Sequence, residues 1–278
     1  MSKFFNETSK ARHVPLNESK SRSVELEDIL SEAFAGSNPS IEPEVSSFDD
    51  RRKISIPLTN LLQAKFFGSD SVESVLESYR ALRTRLLKLS AESHIQSVIV
   101  TSAAQGEGKT FTSLNLASCC AQLKDLQVLL VDGDTRSSGL TRELGSTAEL
   151  GLAQILAGQC EAEEAILSTD IPNLKVLPSG KAAMPSAELF ATKRWQEFIT
   201  WCNGSFKFVI VDAPPALNLA DVELMSAVCD GVLMVVRSME TKRELLQKSC
   251  SQIDRQKRLG VVYNAVDYVA HRYRYPDA

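Results

Sequence analysis

The sequence predicts an α/β protein in which helices cover both faces of a mostly parallel sheet. Short apolar runs rich in Val, Ile and Leu alternate with longer segments of helical periodicity, as in parallel strands joined by crossover helices. Polar or charged residues directly follow five of these runs, and ligands bind at such strand ends. The predicted strands span residues 98–100, 127–131, 174–177, 206–211, 231–236 and 259–263.

Composition narrows the class of protein. The chain has 278 residues, 44% of them hydrophobic, which is enough for a substantial core. Its net charge of -4 comes from interspersed signs, so a nucleic-acid partner is not expected. Six cysteines without paired spacing indicate neither a zinc site nor a disulfide framework, and fit a reducing cytosol. No run approaches the ~18 apolar residues of a spanning helix. We therefore expect a cytoplasmic protein, and if it works at a membrane, another chain has to bring it there.

The chain is predicted to consist of an arm, a folded domain and a tail. Residues 1–68 are rich in Ser, Glu, Asn and Lys with scattered prolines, which predicts a largely disordered arm. Within the arm, residues 24–34 have helical spacing; this segment either docks on a partner or the main domain, or has only transient helicity. The folded domain is predicted to span residues 69–265, and a flexible tail residues 266–278.

An amphipathic helix is predicted over residues 71–89, whose apolar side chains fall on one side of a helical wheel. Glu77 and Arg80 lie on the opposite side, with Arg83 at the flank. On spacing alone, these charges form either a solvated face with an i,i+3 ion pair or a contact with another subunit.

A glycine-containing loop follows the strand at 98–100. Gly106 and Gly108 let the backbone curl so that N–H groups point at phosphate oxygens, and the helix that follows adds the positive end of its dipole. Lys109 would reach the β- and γ-phosphates, and the Thr110 hydroxyl would bind Mg²⁺. Strand, loop and helix together predict a site for a nucleoside triphosphate with Mg²⁺, with a chance glycine-rich turn as the alternative.

Three acidic residues follow two other strands. Asp212 ends an apolar run, as a Walker B carboxylate does, and Asp132 and Asp134 close another strand. Acids beside a triphosphate are repelled unless they ligate the metal directly or through water. One acid is enough for Mg²⁺, so the extra pair predicts a proton acceptor for an incoming hydroxyl, and hence group transfer. The alternative is that one of the pair caps the following helix.

These motifs, in this order, resemble the bacterial tyrosine kinases of polysaccharide assembly, which are autokinases unrelated to the eukaryotic kinase fold. The resemblance covers residues 77–264. It is carried by AAQGEGKT at 103–110 (Walker A), LLVDGDTR at 129–136 (Walker A′), VIVDAPP at 209–215 (Walker B), and LPSG and PSAEL within 177–189. Glu77, Arg80 and Arg83 match the family's E-x-x-R-x-x-R helix, which contacts the neighbouring subunit of a ring.

The resemblance implies a P-loop NTPase-like fold and an ATP-dependent protein-tyrosine autokinase that regulates capsular or exopolysaccharide synthesis and export. It implies that Thr110, Asp134 and Asp212 hold Mg²⁺ and that Asp132 orients or deprotonates a tyrosine hydroxyl. Arg237 and Asn264 are expected beside the base. The nucleotide-binding residues that it implies are Gln105, Gly106, Glu107, Gly108, Lys109, Thr110, Phe111, Arg237 and Asn264.

The family's acceptors are tyrosines near the C-terminus, and this chain has Tyr268, Tyr273 and Tyr275 there. The resemblance implies phosphorylation in trans within a homo-oligomeric ring, with an octamer as one candidate size. It also implies a separate transmembrane adaptor, a polysaccharide co-polymerase, that recruits the kinase to the inner face of the membrane.

Two departures from the family pattern are visible. Residues 137–139 read Ser-Ser-Gly where the family usually has a basic residue and a proline, and the tyrosine cluster is short. Two other functions remain: an ATP-binding scaffold of the polysaccharide machinery without tyrosine transfer, and a partition-type positioning ATPase. The second is disfavoured because Ala104 stands where those ATPases carry a lysine.

Overall fold

The computed structural model describes residues 53–56, 69–217 and 220–266, and contains one eight-stranded sheet. Its strands are β1 (Lys53–Ile54), β2 (Ser97–Ser102), β3 (Val128–Asp132), β4 (Leu167–Thr169), β5 (Leu174–Leu177), β6 (Phe208–Asp212), β7 (Gly231–Arg237) and β8 (Arg258–Asn264). The strand order is β1-β4-β5-β3-β6-β2-β7-β8. Among the described strands only the β4–β5 pair is antiparallel, so the predicted mostly parallel sheet is confirmed.

Helices pack on both faces of this sheet. They are α1 (Ser69–Ser93), α2 (Lys109–Ala121), α3 (Gly139–Glu143), α4 (Leu152–Ala157), α5 (Ala162–Ala165), α6 (Ser186–Phe190), α7 (Lys193–Ser205), α8 (Ala220–Val228) and α9 (Arg243–Ser251). Successive residues of a strand point to opposite faces. Accordingly Val98 and Val100 join one core, with Leu114 of α2, and Ile99 joins the other, with Trp195 of α7. The prediction that helices cover both faces is therefore also confirmed.

The segment from 140 to 167, where the sequence predicts a helical pattern with breaks at three glycines, is interrupted at those glycines. It forms three short helices, α3 to α5, which are separated at Gly145, Gly151 and Gly158. A Cβ atom at Gly151 would lie 2.4 Å from the Pro178 carbonyl oxygen, so this glycine permits a close backbone approach. Strand β4 was not predicted, because three residues are too few to show an alternating pattern.

Four residues of the predicted disordered arm are ordered. Strand β1 pairs with β4, Ile56 is buried, and the Asp170 carboxylate accepts hydrogen bonds from Ser55 Oγ (2.7 Å) and Ile56 N (3.1 Å). Partners more than a hundred positions away therefore hold this short strand, which lies within the arm predicted to be largely disordered. The candidate helix at 24–34 and the tail beyond residue 266 lie outside the described residues.

None of the helices in the described part of the chain has both the length and the apolar character needed to cross a bilayer.

Candidate active site

The carboxyl ends of β2, β3 and β6 bring the sequence motifs together. These three strands are neighbours in the sheet, with β6 between the other two. In the register of the sheet, Asp132 lies beside Asp212, and Asp212 lies beside Val100. Residues 32 to 112 positions apart in the sequence therefore converge at one edge, as expected for a ligand site in a parallel sheet.

The loop before α2 has the form of a phosphate-binding loop. Gly106 and Gly108 have φ values of 85° and 92°, which side chains other than glycine rarely adopt. The Thr112 N–H donates to the Gly108 carbonyl oxygen (2.9 Å), so the helix begins directly after the loop. A Cβ atom at Gly108 would also lie 1.9 Å from Asn264 Nδ2. Glycine is thus required at position 108 both by the backbone angle and by this neighbour.

Lys109 lies at the start of α2, and its charge is paired inside the site. Its Nζ is 3.3 Å from Asp134 Oδ2, and both side chains are largely buried. Asp134 is itself fixed by Ser137, which donates through its hydroxyl to Oδ2 (2.5 Å) and through its backbone N–H to Oδ1 (3.1 Å). The Ser137 position, where the chain departs from the family pattern, therefore orients the second aspartate of the Walker A′ motif.

Asp212 is fully buried and receives hydrogen bonds from two hydroxyl groups of α2. Thr110 donates to Oδ2 (2.7 Å) and Ser113 donates to Oδ1 (3.1 Å). Burial raises the pKa of Asp212 to about 7, and the nearby Lys109 ammonium partly opposes that shift. A carboxylate in this setting favours a cation beside it.

Asp132 is also fully buried, and its carboxylate is turned toward Thr141. Oδ2 accepts from Thr141 N (2.8 Å) and Oγ1 (2.6 Å), while Oδ1 accepts from Asp134 N (3.2 Å). Burial raises the pKa of Asp132 to about 6, against the opposing effect of the Thr141 hydrogen bonds. Thr141 Oγ1 in turn accepts from Ser179 N (2.9 Å), so the LPSG segment supports the position of Asp132.

An open cleft of about 480 Å³ lies against the loop. Seven of the predicted site residues line it: Gln105, Gly106, Gly108, Lys109, Thr110, Phe111 and Asp134. The full lining is Gln105, Gly106, Gly108, Lys109, Thr110, Phe111, Asp134, Arg136, Ser137, Gly139, Arg142, Glu143, Pro214 and Pro215. Asp132 and Asp212 lie beneath this surface, because neither exposes any area.

Arg237 and Asn264, predicted to lie beside the base, contact the other side of the loop. Asn264 Nδ2 donates to the Glu107 carbonyl oxygen (2.9 Å), and Arg237 Nη1 donates to that of Gly106 (3.4 Å). The Glu107 carboxylate accepts from Ala104 N (2.9 Å) and from the Thr241 hydroxyl. Glu107 therefore faces into the protein and connects the phosphate loop to the loop after β7.

The three charged residues predicted at a subunit contact do not share one environment. Glu77 and Arg80 are exposed and form an ion pair of 2.6 Å. Arg83 is buried, and its Nη1 donates to the Cys119 carbonyl oxygen (2.8 Å) in the last turn of α2, where helix carbonyls lack partners. Only the first two residues are presented to solvent. The predicted acceptors Tyr268, Tyr273 and Tyr275 lie outside the described residues.

Four residues at or beside the site were not predicted from the sequence: Ser113, Thr141, Arg136 and Asp221. Ser113 lies three positions after Thr110, so helical spacing could have revealed it. Thr141 and Asp221 contact partners 9 and 85 positions away, and no local pattern signals such pairs.

A family model described as an AAA domain matches residues 96–260, which include the phosphate loop, the A′ and Walker B motifs and Arg237, but not α1 or Asn264. The tyrosine-protein kinase CpsD of Streptococcus agalactiae is 31% identical over 194 residues, 69% of this chain and 83% of that protein. The tyrosine-protein kinase YwqD of Bacillus subtilis is 32% identical over 197 residues, which span 70% of this chain and 83% of the relative.

Among solved structures, the kinase domain of the Escherichia coli tyrosine kinase ETK superposes with a TM-score of 0.68 and 25% identity, covering 84% of this chain and 97% of that one. The P-loop NTPase-like fold expected from the motifs is thereby confirmed. Sequence similarity that extends over most of both proteins, on a shared fold, makes this chain a member of the bacterial tyrosine-protein kinase family.

Proposed function

We propose that this protein is an ATP-dependent protein-tyrosine autokinase that regulates capsular or exopolysaccharide synthesis and export. The main supporting observation is the convergence of Lys109 with three carboxylates, those of Asp132, Asp134 and Asp212, at one edge of the sheet. Mg²⁺ in such sites needs only one or two carboxylates, so one acid remains for the proton of an acceptor hydroxyl.

The transfer can be written with these residues. The tyrosine hydroxyl oxygen forms a bond to the γ-phosphorus while the bond from that phosphorus to the β,γ-bridging oxygen breaks. The phenolic proton passes to the Asp132 carboxylate, and the products are phosphotyrosine and ADP. Lys109 and the N–H groups of the loop stabilise the negative charge on the phosphates. For this role Asp132 has to exchange a hydrogen bond with Thr141 for one with the tyrosine.

The residues present fit Mg²⁺. Thr110 Oγ1 and the carboxylates of Asp134 and Asp212 are hard oxygen donors of the kind that Mg²⁺ prefers. Burial raises the pKa of Asp212, and a divalent cation beside this carboxylate would oppose that shift. When bound, the ion would neutralise charge on the phosphates. On binding of the nucleotide, we expect Lys109 to leave Asp134 for the phosphates, which frees that carboxylate for the metal.

The first experiment is to incubate the purified protein with ATP and Mg²⁺, with and without the cytoplasmic fragment of a candidate adaptor, and to locate phosphate by mass spectrometry. We expect phosphate on Tyr268, Tyr273 or Tyr275, increased by the adaptor and absent in Lys109→Met. Lys193→Met, which changes an exposed lysine at the start of α7, is the matched control. Bound nucleotide without phosphotyrosine, even with the adaptor, would contradict the proposal.

We further propose a homo-oligomeric ring, on the cytoplasmic face of the membrane and recruited there by a transmembrane adaptor. The exposed Glu77 and Arg80 support a subunit contact through α1. Sedimentation of Glu77→Ala/Arg80→Ala should give smaller particles with unchanged thermal stability. Arg83→Ala should instead lower the melting temperature, because its guanidinium is bonded within the chain. An oligomer that persists in the double variant would rule out this contact.

A further inference from the structure

We propose that Arg136 is a catalytic residue that binds the transferred phosphoryl group, and that buried Asp221 positions it. This inference rests on the proposed kinase function and deepens it. Arg136, in the wall of the cleft, forms an ion pair with a buried partner: its side chain is 52% exposed, whereas that of Asp221 is 0% exposed.

The pair is a two-point contact. Arg136 Nε donates to Asp221 Oδ2 (3.0 Å), and Nη2 donates to Oδ1 (3.4 Å). Two parallel bonds fix the plane of a guanidinium group, which a single bond or a lysine would not do. Arg136 is also the only hydrogen-bond partner of the Asp221 carboxylate among the described residues. The buried acid therefore holds this arginine and no other group in that part of the chain.

The ion pair does not account for the whole guanidinium. Nη1 makes no hydrogen bond with any described residue, although Arg136 lies in the wall of the cleft beside Lys109, Thr110 and Asp134. An ion pair that served stability alone would not need a half-exposed partner, since exposed charges add little. Burial of Asp221 is costly unless its partner is held in place, so the arrangement fits a fixed cation presented to the cleft.

The location suggests which ligand Arg136 binds. It follows Asp134 by two residues and lines the cleft with Phe111, Pro214 and Pro215. It also lines the cleft with Lys109 and Thr110, the residues that a phosphate-binding loop uses for the β- and γ-phosphates and for Mg²⁺. Arg237 and Asn264, the predicted base neighbours, bond to the loop backbone at Gly106 and Glu107 and do not line the cleft. These neighbours favour the γ-phosphate end of the cleft for Arg136. In phosphoryl transfer, charge develops on the equatorial oxygens of the γ-phosphoryl group, and a fixed arginine donor stabilises that charge.

Asp221 lies in the first turn of α8, a favourable place for a carboxylate because of the helix dipole. It follows the Walker B segment by nine residues, counting from Asp212. The A′ loop is thus joined to α8 by this pair, and to the Walker B segment by the bond from Gly133 N to the Asp212 carbonyl oxygen (2.8 Å). Asp221 acts only through Arg136, which makes it a positioning residue.

The test compares binding of ADP alone with binding of ADP plus aluminium fluoride, which mimics a phosphoryl group in transfer. With Mg²⁺ present, aluminium fluoride should strengthen ADP binding by the wild-type protein. In Arg136→Ala this gain should fall by about tenfold or more, while affinity for ADP alone stays within about threefold, and kcat for autophosphorylation should fall about 10²-fold to 10³-fold. Arg136→Lys should be intermediate, because it keeps the charge but not the fork.

Two further variants separate this role from a structural one. Asp221→Asn keeps the volume but loses the charge, and should lower kcat about tenfold without affecting ADP affinity. Arg258→Ala is the control. Arg258 is the first residue of β8 and also bonds through Nε and Nη2, but its acceptor is the Ile253 carbonyl oxygen. Its activity should match the wild type.

The outcomes distinguish the two proposals. The absence of any gain from aluminium fluoride in the wild type, a full gain in Arg136→Ala, or an equal loss of affinity for ADP alone would each overturn the role of Arg136. The kinase proposal fails separately, if no phosphotyrosine forms while the aluminium fluoride gain still depends on Arg136. That result would mean that Arg136 assists transfer of the phosphoryl group to water, which is ATP hydrolysis.

Discussion

The two sides of the phosphate loop are built differently. On the A′ side, defined as residues 132–141 with Ser179, Asp132 accepts three hydrogen bonds, and Asp134 is bonded to both Lys109 and Ser137. On the base side, defined as residues 237–241 with Asn264, two side chains donate to loop carbonyl oxygens, while Met239 is 99% exposed. The end where a bond would be made and broken is fixed in advance, and the other end is open. Preorganised polar groups stabilise developing charge at little cost of rearrangement.

The largest effect should come from the A′ side. Asp132→Asn keeps an oxygen for Thr141 but removes the proton acceptor, so kcat for autophosphorylation should fall roughly 10²-fold to 10⁴-fold with ATP affinity nearly unchanged. Quantitative mass spectrometry of initial rates measures the effect. The control Asp230→Asn alters a carboxylate bonded to Gln96 and Ser97 at the other end of the sheet, and should leave kcat within about threefold. If Asp132→Asn kept its activity, the A′ side would not supply the proton acceptor, and the proposed chemical difference between the two sides would be wrong.

The next largest effect is expected where the phosphate loop contacts the base side. Gly108→Ala introduces both strain at φ 92° and a collision with Asn264, so ATP affinity should fall about 10²-fold. Gly106→Ala introduces the same backbone strain, but its Cβ atom would meet no other atom within 4 Å, so ATP affinity should fall only about tenfold. Calorimetric titration of Gly108→Ala/Asn264→Ala should return affinity to the level of Gly106→Ala. No recovery would mean that Asn264 does not constrain the loop.

A third prediction concerns stability and pH. Burial holds the pKa of Asp212 at about 7, above its value in the unfolded chain, so its contribution to stability is full below about pH 4 and is lost as pH rises through about 7. In urea unfolding without nucleotide or metal, Asp212→Asn should therefore be more stable than wild type at pH 8, by on the order of 2 kcal/mol. The difference should shrink at pH 5. A constant difference across this range would show that the carboxylate is ionised throughout.

The smallest effect is expected on the base side itself. Thr241→Val removes one hydroxyl from the Glu107 carboxylate and from Arg237 N, which should raise KM for ATP roughly threefold to fivefold and leave kcat unchanged. Thr241→Ser should restore the wild-type KM in the same assay. A fall in kcat that exceeds the rise in KM would show that the base side is not merely a binding surface.

Much of this site follows from local sequence. The central strands and the residues that end them were predictable, because an apolar run followed by Asp or Gly is visible without tertiary contacts. The environment of Arg83 could not be predicted from the helical wheel, because a residue at the flank can point either to solvent or into the protein. Its side chain turns inward because a carbonyl oxygen at the end of α2 accepts its hydrogen bond. Nor could local pattern reveal that Ser138 adopts a φ of 48° after the A′ motif, or that Asp221 folds back on Arg136. These features depend on contacts between distant segments.

The pairing of β1 at one edge of the sheet and of β8 at the other determines where the chain enters and leaves. Seven strand spacings separate these edges, about 34 Å at the usual distance between strands. Fluorescent labels at Ser55 and Val266 would therefore span the full width of the sheet within the range of resonance energy transfer. Such a pair would detect a change in sheet twist when nucleotide binds.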